Sequence, residues 1–131
     1  MRSARRFRRL VVGEAVWYWT VRQRVRPVYA DCRLKISFVA EGTGSPGRRL
    51  TLVFAPSADG VVSNTYVESG TVTRLPDRSH LNLHEPGTAR RLLDAAAPTL
   101  ERWPSKRHVE VDGWPCFARV VGGPGGGASG R

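Results

Sequence analysis

Strict alternation of side chains over residues 15–24 constrains the fold of this chain more than any other feature. In the run AVWYWTVRQR, the odd positions from 15 to 21 are apolar, and the even positions from 18 to 24 are polar, charged or carry a hydroxyl group. A period of two residues is typical of a β-strand that has one buried face. One face of this strand carries Trp17, Trp19 and Val21, and the other carries Tyr18, Thr20, Arg22 and Arg24.

Two further runs repeat the pattern. Residues 32–40 place Leu34, Ile36 and Phe38 opposite Arg33, Lys35 and Ser37, and residues 49–54 align Leu50, Leu52 and Phe54. Turn residues separate the three runs, most clearly the glycines and proline of 41–47 (EGTGSPG). The sequence therefore predicts an antiparallel β-meander of three or more strands with a single apolar face, preceded by a short strand over 7–12.

A helix is predicted to cover that face. It begins near Pro86, because proline is well tolerated in a first helical turn. Its apolar stripe follows spacings of three and four and consists of Ala89, Leu92, Leu93, Ala96, Leu100 and Trp103. Pro98 is expected to kink or split this helix, and Pro104 to end it. Since no other cover is evident, the predicted fold class is α+β, one amphipathic helix packed on an antiparallel sheet.

Other segments are less regular. Residues 55–80 are ambiguous, with short strands expected at 61–62, 66–67 or 72–74, and the HLNLH run turns Leu81 and Leu83 inward. A strand over 108–111, a turn at Asp112–Gly113 and a returning strand over 114–121 are predicted. We expect one domain over 7–121, a disordered basic arm over 1–6 and a disordered glycine-rich tail over 122–131.

Positive charge is concentrated at the start of the chain. The net charge is +10, and residues 1–26 hold eight arginines against the single acid Glu14. Such a balance favours a polyanionic partner, either nucleic acid or an anionic membrane surface. An alternative is genome composition, because arginine outnumbers lysine nineteen to two, as a GC-rich genome produces without selection for binding.

The face of the sheet opposite the tryptophans, which we call the outer face, is the candidate site. Its arginines and Tyr18 provide groups that hold phosphates and stack a base, and the arm adds a flexible clamp. The candidate nucleic-acid-binding residues are Arg5, Arg6, Arg8, Arg9, Tyr18, Arg22, Arg24, Arg33, Lys35 and Arg49. The alternative is a solvated face whose arginines protect the sheet from aggregation.

Catalytic and metal-binding patterns are absent from the sequence. It contains no nucleophile elbow, phosphate-binding loop or H-E-x-x-H motif. In an extended HLNLH segment, His80 and His84 lie about 13 Å apart, too far to share a metal ion. Cys32 and Cys116 permit at most one disulfide. We therefore expect a protein without catalytic activity, cofactor or metal.

The first ten residues resemble the charged region of a signal peptide, but Gly13 and Glu14 interrupt the apolar run that follows. No stretch approaches the ~18 apolar residues of a membrane span. These features predict a cytoplasmic protein.

The segment VVGEAVWYWTVR contains the pattern G-x-x-x-W-x-W-x-V-R, from Gly13 to Arg22. With the two alternating strands and the later proline-started helix, it resembles small bacterial proteins of GC-rich genomes over about residues 10–105. No activity is known for that group, so the resemblance implies a fold and no functional residue.

Three functions remain open from the sequence. The first is a non-catalytic accessory protein that binds RNA or DNA through the arm and the outer face. The second is a protein-interaction module, such as the small partner in a bacterial complex, which uses a strand edge or residues 55–80. The third is an enzyme whose site is assembled from residues scattered along the sequence.

Overall fold

Two β-sheets and two α-helices form the core of the part of the chain that the computed structural model describes, which is residues 7–41, 48–63, 70–75, 77–102 and 105–122. A five-stranded sheet has the order β1-β2-β3-β4-β8, and a three-stranded sheet has the order β5-β6-β7. In chain order the elements are β1 (Arg8–Val12), β2 (Ala15–Arg24), β3 (Arg33–Ala40), β4 (Arg49–Phe54), β5 (Gly60–Val62), β6 (Thr71–Arg74), β7 (Ser79–Asn82), α1 (Pro86–Arg102), β8 (His108–Asp112) and α2 (Trp114–Val120).

The predicted meander and the predicted α+β class are confirmed. Strands β1 to β4 pair antiparallel with their neighbours, and Gly13 makes the first turn with a φ of +62°, a left-handed conformation that glycine adopts without steric cost. Alternation sorts the side chains as expected, although Trp17 and Val21 are only partly buried. The fully buried side chains of this face are Trp19, Leu34, Ile36, Phe38, Leu50, Leu52 and Phe54.

The cover of the large sheet differs from the prediction, because the helix does not cover it alone. Leu92, Leu93 and Leu100 of α1 share one buried cluster with the small sheet and with Phe117 of α2. The reason is that the sheet is wider than one helix. Five strands span about 19 Å, whereas a helix with its side chains is about 10–12 Å across, so a single helix leaves part of the apolar face to be covered by other elements.

The predicted last strand over 114–121 is wrong, since this segment forms α2. Asp112 Oδ1 accepts a hydrogen bond from the Trp114 amide (3.1 Å), and Pro115 occupies the first turn, a position where proline favours a helix start. Strand β8 also pairs parallel to β4 and forms no hairpin. The apolar residues Trp114 and Phe117 are three apart, a helical spacing that the short alternating run before them obscured.

Pro98 does not split the predicted helix, because α1 continues through it to Arg102. Pro98 is exposed, and the buried stripe on the opposite side of the helix is retained. Trp103, the predicted strand at 66–67, the arm over 1–6 and residues 123–131 of the tail lie outside the described residues. Of the other predicted short strands, those at 61–62 and 72–74 are present as parts of β5 and β6. Leu81 and Leu83 are buried as expected.

Two polar contacts join the small sheet to β2 and to the loop that follows it. Gln23 Oε1 accepts hydrogen bonds from Ser63 Oγ (3.0 Å) and from the Gly70 amide (3.3 Å). The Tyr29 hydroxyl donates to the Val62 carbonyl (3.1 Å) and accepts from the Val62 amide (2.9 Å). Because this hydroxyl satisfies both backbone groups of Val62, it acts as the next strand would at the edge of β5.

Two glycines provide a matched test of this packing. A Cβ at Gly113 would stand 2.5 Å from the Phe54 ring, whereas a Cβ at Gly87, in the first turn of α1, would meet nothing within 4 Å. We expect Gly113→Ala to lower the free energy of unfolding by about 1–3 kcal/mol through overpacking. Gly87→Ala should raise it by about 0.4–1 kcal/mol, because alanine reduces the conformational entropy of the unfolded chain.

Urea denaturation of the two variants beside the wild type measures both changes. Equal stabilities for the two variants would contradict the close approach of Gly113 to Phe54.

Candidate nucleic-acid interface

The outer face is crossed by rows of side chains that strand register brings side by side. One row joins Arg9 of β1 to Tyr18 of β2 and continues through Val39 to Arg49 of β4 and His108 of β8. Two rows further along β2, Arg22 lies opposite Lys35, and beyond it Arg24 lies opposite Arg33. The face therefore has one end with an aromatic side chain and another end where like charges face each other.

A basic cleft of about 310 Å³ lies at the charged end. Its lining residues are Arg22, Gln23, Arg24, Val25, Arg26 and Lys35. Among the described residues, no carboxylate lies within salt-bridge distance of Arg22, Arg24 or Arg26. All three arginines are exposed, so their guanidinium groups are available to an anion from solution.

Lys35 and Arg33 differ from the cleft arginines in their partners. Lys35 Nζ lies 3.8 Å from Glu110 Oε2, an exposed ion pair of the kind that contributes little to stability. Arg33 turns its guanidinium to the backbone, where Nη1 donates to the carbonyls of Ala30 (2.8 Å) and Cys32 (2.7 Å). Arg33 is therefore a structural residue of the neighbouring turn, although its strand position faces Arg24.

Arg26 is a cleft residue that the sequence analysis missed, because it follows the end of β2. The signal was available, since the alternation of Arg22 and Arg24 continues to residue 26. Cys32 holds the backbone of Arg26 in place: its Sγ accepts from the Arg26 amide (3.3 Å) and lies 3.6 Å from the Arg26 carbonyl. The fully buried Cys32 thus ties the loop after β2 to the start of β3.

The aromatic end of the outer face is built around Tyr18 and Phe7. The Tyr18 hydroxyl donates to Glu41 Oε1 (2.8 Å). This hydrogen bond and the negative charge of Glu41 raise the pKa of Tyr18 above its ordinary value, against a smaller opposing effect of Arg9. Phe7 is 39% exposed, and the Arg49 guanidinium stands over its ring at 6.0 Å, within the range of a cation–π contact.

In the structure, Arg8 does not lie at the predicted site. Strand alternation turns Arg8 to the inner side of the sheet, where its guanidinium stacks over Trp19 at 5.0 Å and donates to the His84 carbonyl (2.7 Å). Its neighbour Arg9 stays on the outer face. Alternation along β1 thus separates two adjacent arginines that share one predicted role, and Arg5 and Arg6 lie outside the described residues.

A chain of buried hydroxyl groups crosses the middle of the outer face. Ser37 Oγ lies 2.9 Å from Thr51 Oγ1, which lies 3.0 Å from His108 Nε2. Ser37 and Thr51 are 7% and 2% exposed, too covered for either hydroxyl to reach a substrate. The chain satisfies polar groups within the sheet, as buried polar groups require.

Other reactive side chains in the described ranges do not gather into a site. No group of three or more histidine, cysteine, aspartate or glutamate residues there is arranged to hold a metal ion. Cys32 and Cys116 are both free and buried, and burial raises the pKa of the Cys116 thiol. No helix of the described chain has the length and apolar character to cross a membrane.

Comparison with protein-family models, with curated proteins and with solved structures gave no match.

The Tyr18–Glu41 pair is open to direct titration. Replacing Glu41 by glutamine removes the negative charge beside the phenol, so we expect the pKa of Tyr18 to fall towards its ordinary value of about 10. Ultraviolet absorbance of the phenolate against pH measures this shift. The control is Glu110→Gln, which neutralises another acid of the same sheet and should leave the titration unchanged. A Tyr18 titration that is identical in Glu41→Gln and the wild type would contradict the contact.

Proposed function

We propose that this chain is a non-catalytic binding protein that contacts nucleic acid through its outer face and acts in the cytoplasm. The observation that supports the proposal most directly is the basic cleft, in which Arg22, Arg24 and Arg26 lack carboxylate partners among the described residues. The two buried, free cysteines are in keeping with a reducing compartment. The arm contributes further charge through Arg5 and Arg6.

The register of the sheet makes the cleft unfavourable without a ligand. Like charges directly opposite each other on neighbouring strands destabilise a sheet, and here Arg22 lies opposite Lys35. A bound phosphate offsets this repulsion, since it is attracted by every cation in the cleft. At 4 Å each such attraction is about 1 kcal/mol in bulk water and about 4 kcal/mol at the effective dielectric constant of a protein surface.

Genome composition accounts for many arginines but supplies no reason for their placement. Arg90 pairs with Asp94 and Arg74 pairs with Asp77, each over one helical turn or one tight turn. The cleft arginines are arranged differently, side by side at one end of one face. This contrast favours a binding role over a purely compositional one.

Salt dependence tests the proposal. If each of the four cleft cations neutralises one phosphate, log affinity for a single strand should fall with log salt at a slope of about −3, or about −4 for duplex DNA. In the double variant Arg22→Gln/Arg24→Gln, the slope should become shallower by roughly 0.7 for each arginine on a single strand. Fluorescence anisotropy of a labelled oligonucleotide at several salt concentrations measures both slopes.

The matched control is Arg91→Gln/Arg102→Gln, which removes the same charge from exposed positions of α1, on the opposite side of the sheet. It should retain the wild-type slope. Equal losses in both double variants would mean that only net charge matters, and a flat slope in the wild type would dispose of the proposal.

A protein partner is the second candidate function, favoured by exposed apolar side chains in the loop after β2. Val25, Val28 and Tyr29 are 43%, 59% and 38% exposed within five residues of sequence, and clustered exposed apolar groups mark interaction surfaces. Affinity capture with and without nuclease distinguishes the candidates. A partner that is retained after nuclease treatment and lost in Val28→Ser favours this second function.

A further inference from the structure

We propose that the outer face binds single-stranded nucleic acid along β2, with bases on Phe7 and Tyr18 and phosphates in the basic cleft. This inference rests on the proposed function and adds the class of nucleic acid. Aromatic and cationic side chains occupy different parts of the outer face along β2. Along β2, the outer face carries Tyr18, Thr20, Arg22 and Arg24 in that order.

The two rings form a platform at one end. Because Arg8 pairs with Trp19, Phe7 is the neighbour of Thr20 in the same register, and Tyr18 is its diagonal neighbour on β2. Diagonal cross-strand neighbours lie about 7–8 Å apart. Phe7 is 39% exposed and Tyr18 is half-buried, so both rings are accessible to a ligand. Aromatic side chains of this kind stack bases without regard to sequence, because every base has a π-face.

The cations lie further along the same strand. From Tyr18 to Arg24 the backbone extends about 20 Å at the rise of a β-strand. Thr20, the residue before Arg22 on this face of β2, is buried, and Phe7 lies beside it in the register, so the rings and the cleft adjoin along the strand. A flexible single strand can therefore place successive bases on the rings and its next phosphates among Arg22, Arg24 and Arg26.

The width of the large sheet argues against recognition of duplex bases in the major groove. The large sheet has five strands and spans about 19 Å, whereas the major groove of B-DNA is about 12 Å wide and admits a helix or a two-stranded ribbon. The outer face cannot enter that groove and would meet only the phosphates of a duplex. Duplex binding would then use the cations and leave Phe7 and Tyr18 unused.

The experiment compares the full chain on two probes at one salt concentration: an oligothymidylate of about 12 nucleotides and a DNA duplex of the same length. The variants are Phe7→Leu and Tyr18→Leu, which remove a ring and keep every cation. Tyr18→Phe keeps the ring without the hydroxyl that bonds to Glu41. Val11→Ala is the matched control, an exposed apolar residue of β1 on the same face.

We expect the wild type to bind the oligothymidylate more tightly than the duplex. Each leucine variant should weaken the single-strand complex by about fivefold or more, the equivalent of one lost stacking contact, and leave duplex binding unchanged. Tyr18→Phe and Val11→Ala should bind as the wild type does. Thermal unfolding followed by circular dichroism checks that each variant is folded.

Two results would overturn the inference in distinguishable ways. Equal affinity for both probes, or leucine variants that bind the single strand as tightly as the wild type, would refute the single-strand platform while leaving the cleft as a nucleic-acid site. Absence of salt-dependent binding to either probe would instead refute the proposed function itself.

Discussion

The antiparallel pairing of β2 with β3 is the interaction on which the rest of the structure depends. One register places the buried Trp19 opposite Phe38 and the partly buried Val21 opposite Ile36 on the inner face. Because side chains alternate with a period of two, a shift by one residue would turn each buried side chain outward. The apolar face therefore fixes the register, and burial of each large apolar side chain contributes about 1.5–3 kcal/mol.

The same register sets the charges of the outer face. Once Trp19 is opposite Phe38, Arg22 must lie opposite Lys35 and Arg24 opposite Arg33. Repulsion within a cross-strand pair is roughly 0.2–1 kcal/mol, less than the burial of a single core side chain, so the core determines the pairing. Burial of the inner-face side chains therefore outweighs the repulsion between the cations on the outer face.

The basic cleft also depends on the small sheet. Gln23 lies between the cleft arginines in sequence, yet its side chain reaches the inner side to hold Ser63 and Gly70. Tyr29, in the loop that follows Arg26, bonds to both backbone groups of Val62. These contacts fix the end of β2 and the loop after it, which are the segments that carry the cations.

Alternation made the large sheet predictable from sequence, because Trp17 to Arg24 and Leu34 to Phe38 leave one arrangement that buries the apolar set. The segment 114–120 was mispredicted, since seven residues contain too little periodicity to separate a short helix from a strand. Packing of the Trp114 ring on Phe54 and on Phe117 settles that choice, and such contacts cannot be seen in the sequence.

For the candidate site, strand position alone placed Arg22, Arg24 and Lys35 on one face. It did not show that Arg33 turns to the backbone or that Arg8 stacks on Trp19. These outcomes depend on long side chains choosing among nearby partners, which alternation does not determine.

We propose that the cations that face one another on β2 and β3 lower the stability of the sheet and serve to bind an anionic polymer. Arg22→Glu tests it in one variant, because the new carboxylate lies opposite Lys35. For this variant we expect a free energy of unfolding that rises by up to about 1 kcal/mol, measured by urea denaturation. We also expect it to bind the oligonucleotide more weakly. A variant that is less stable than the wild type and binds equally well would contradict it.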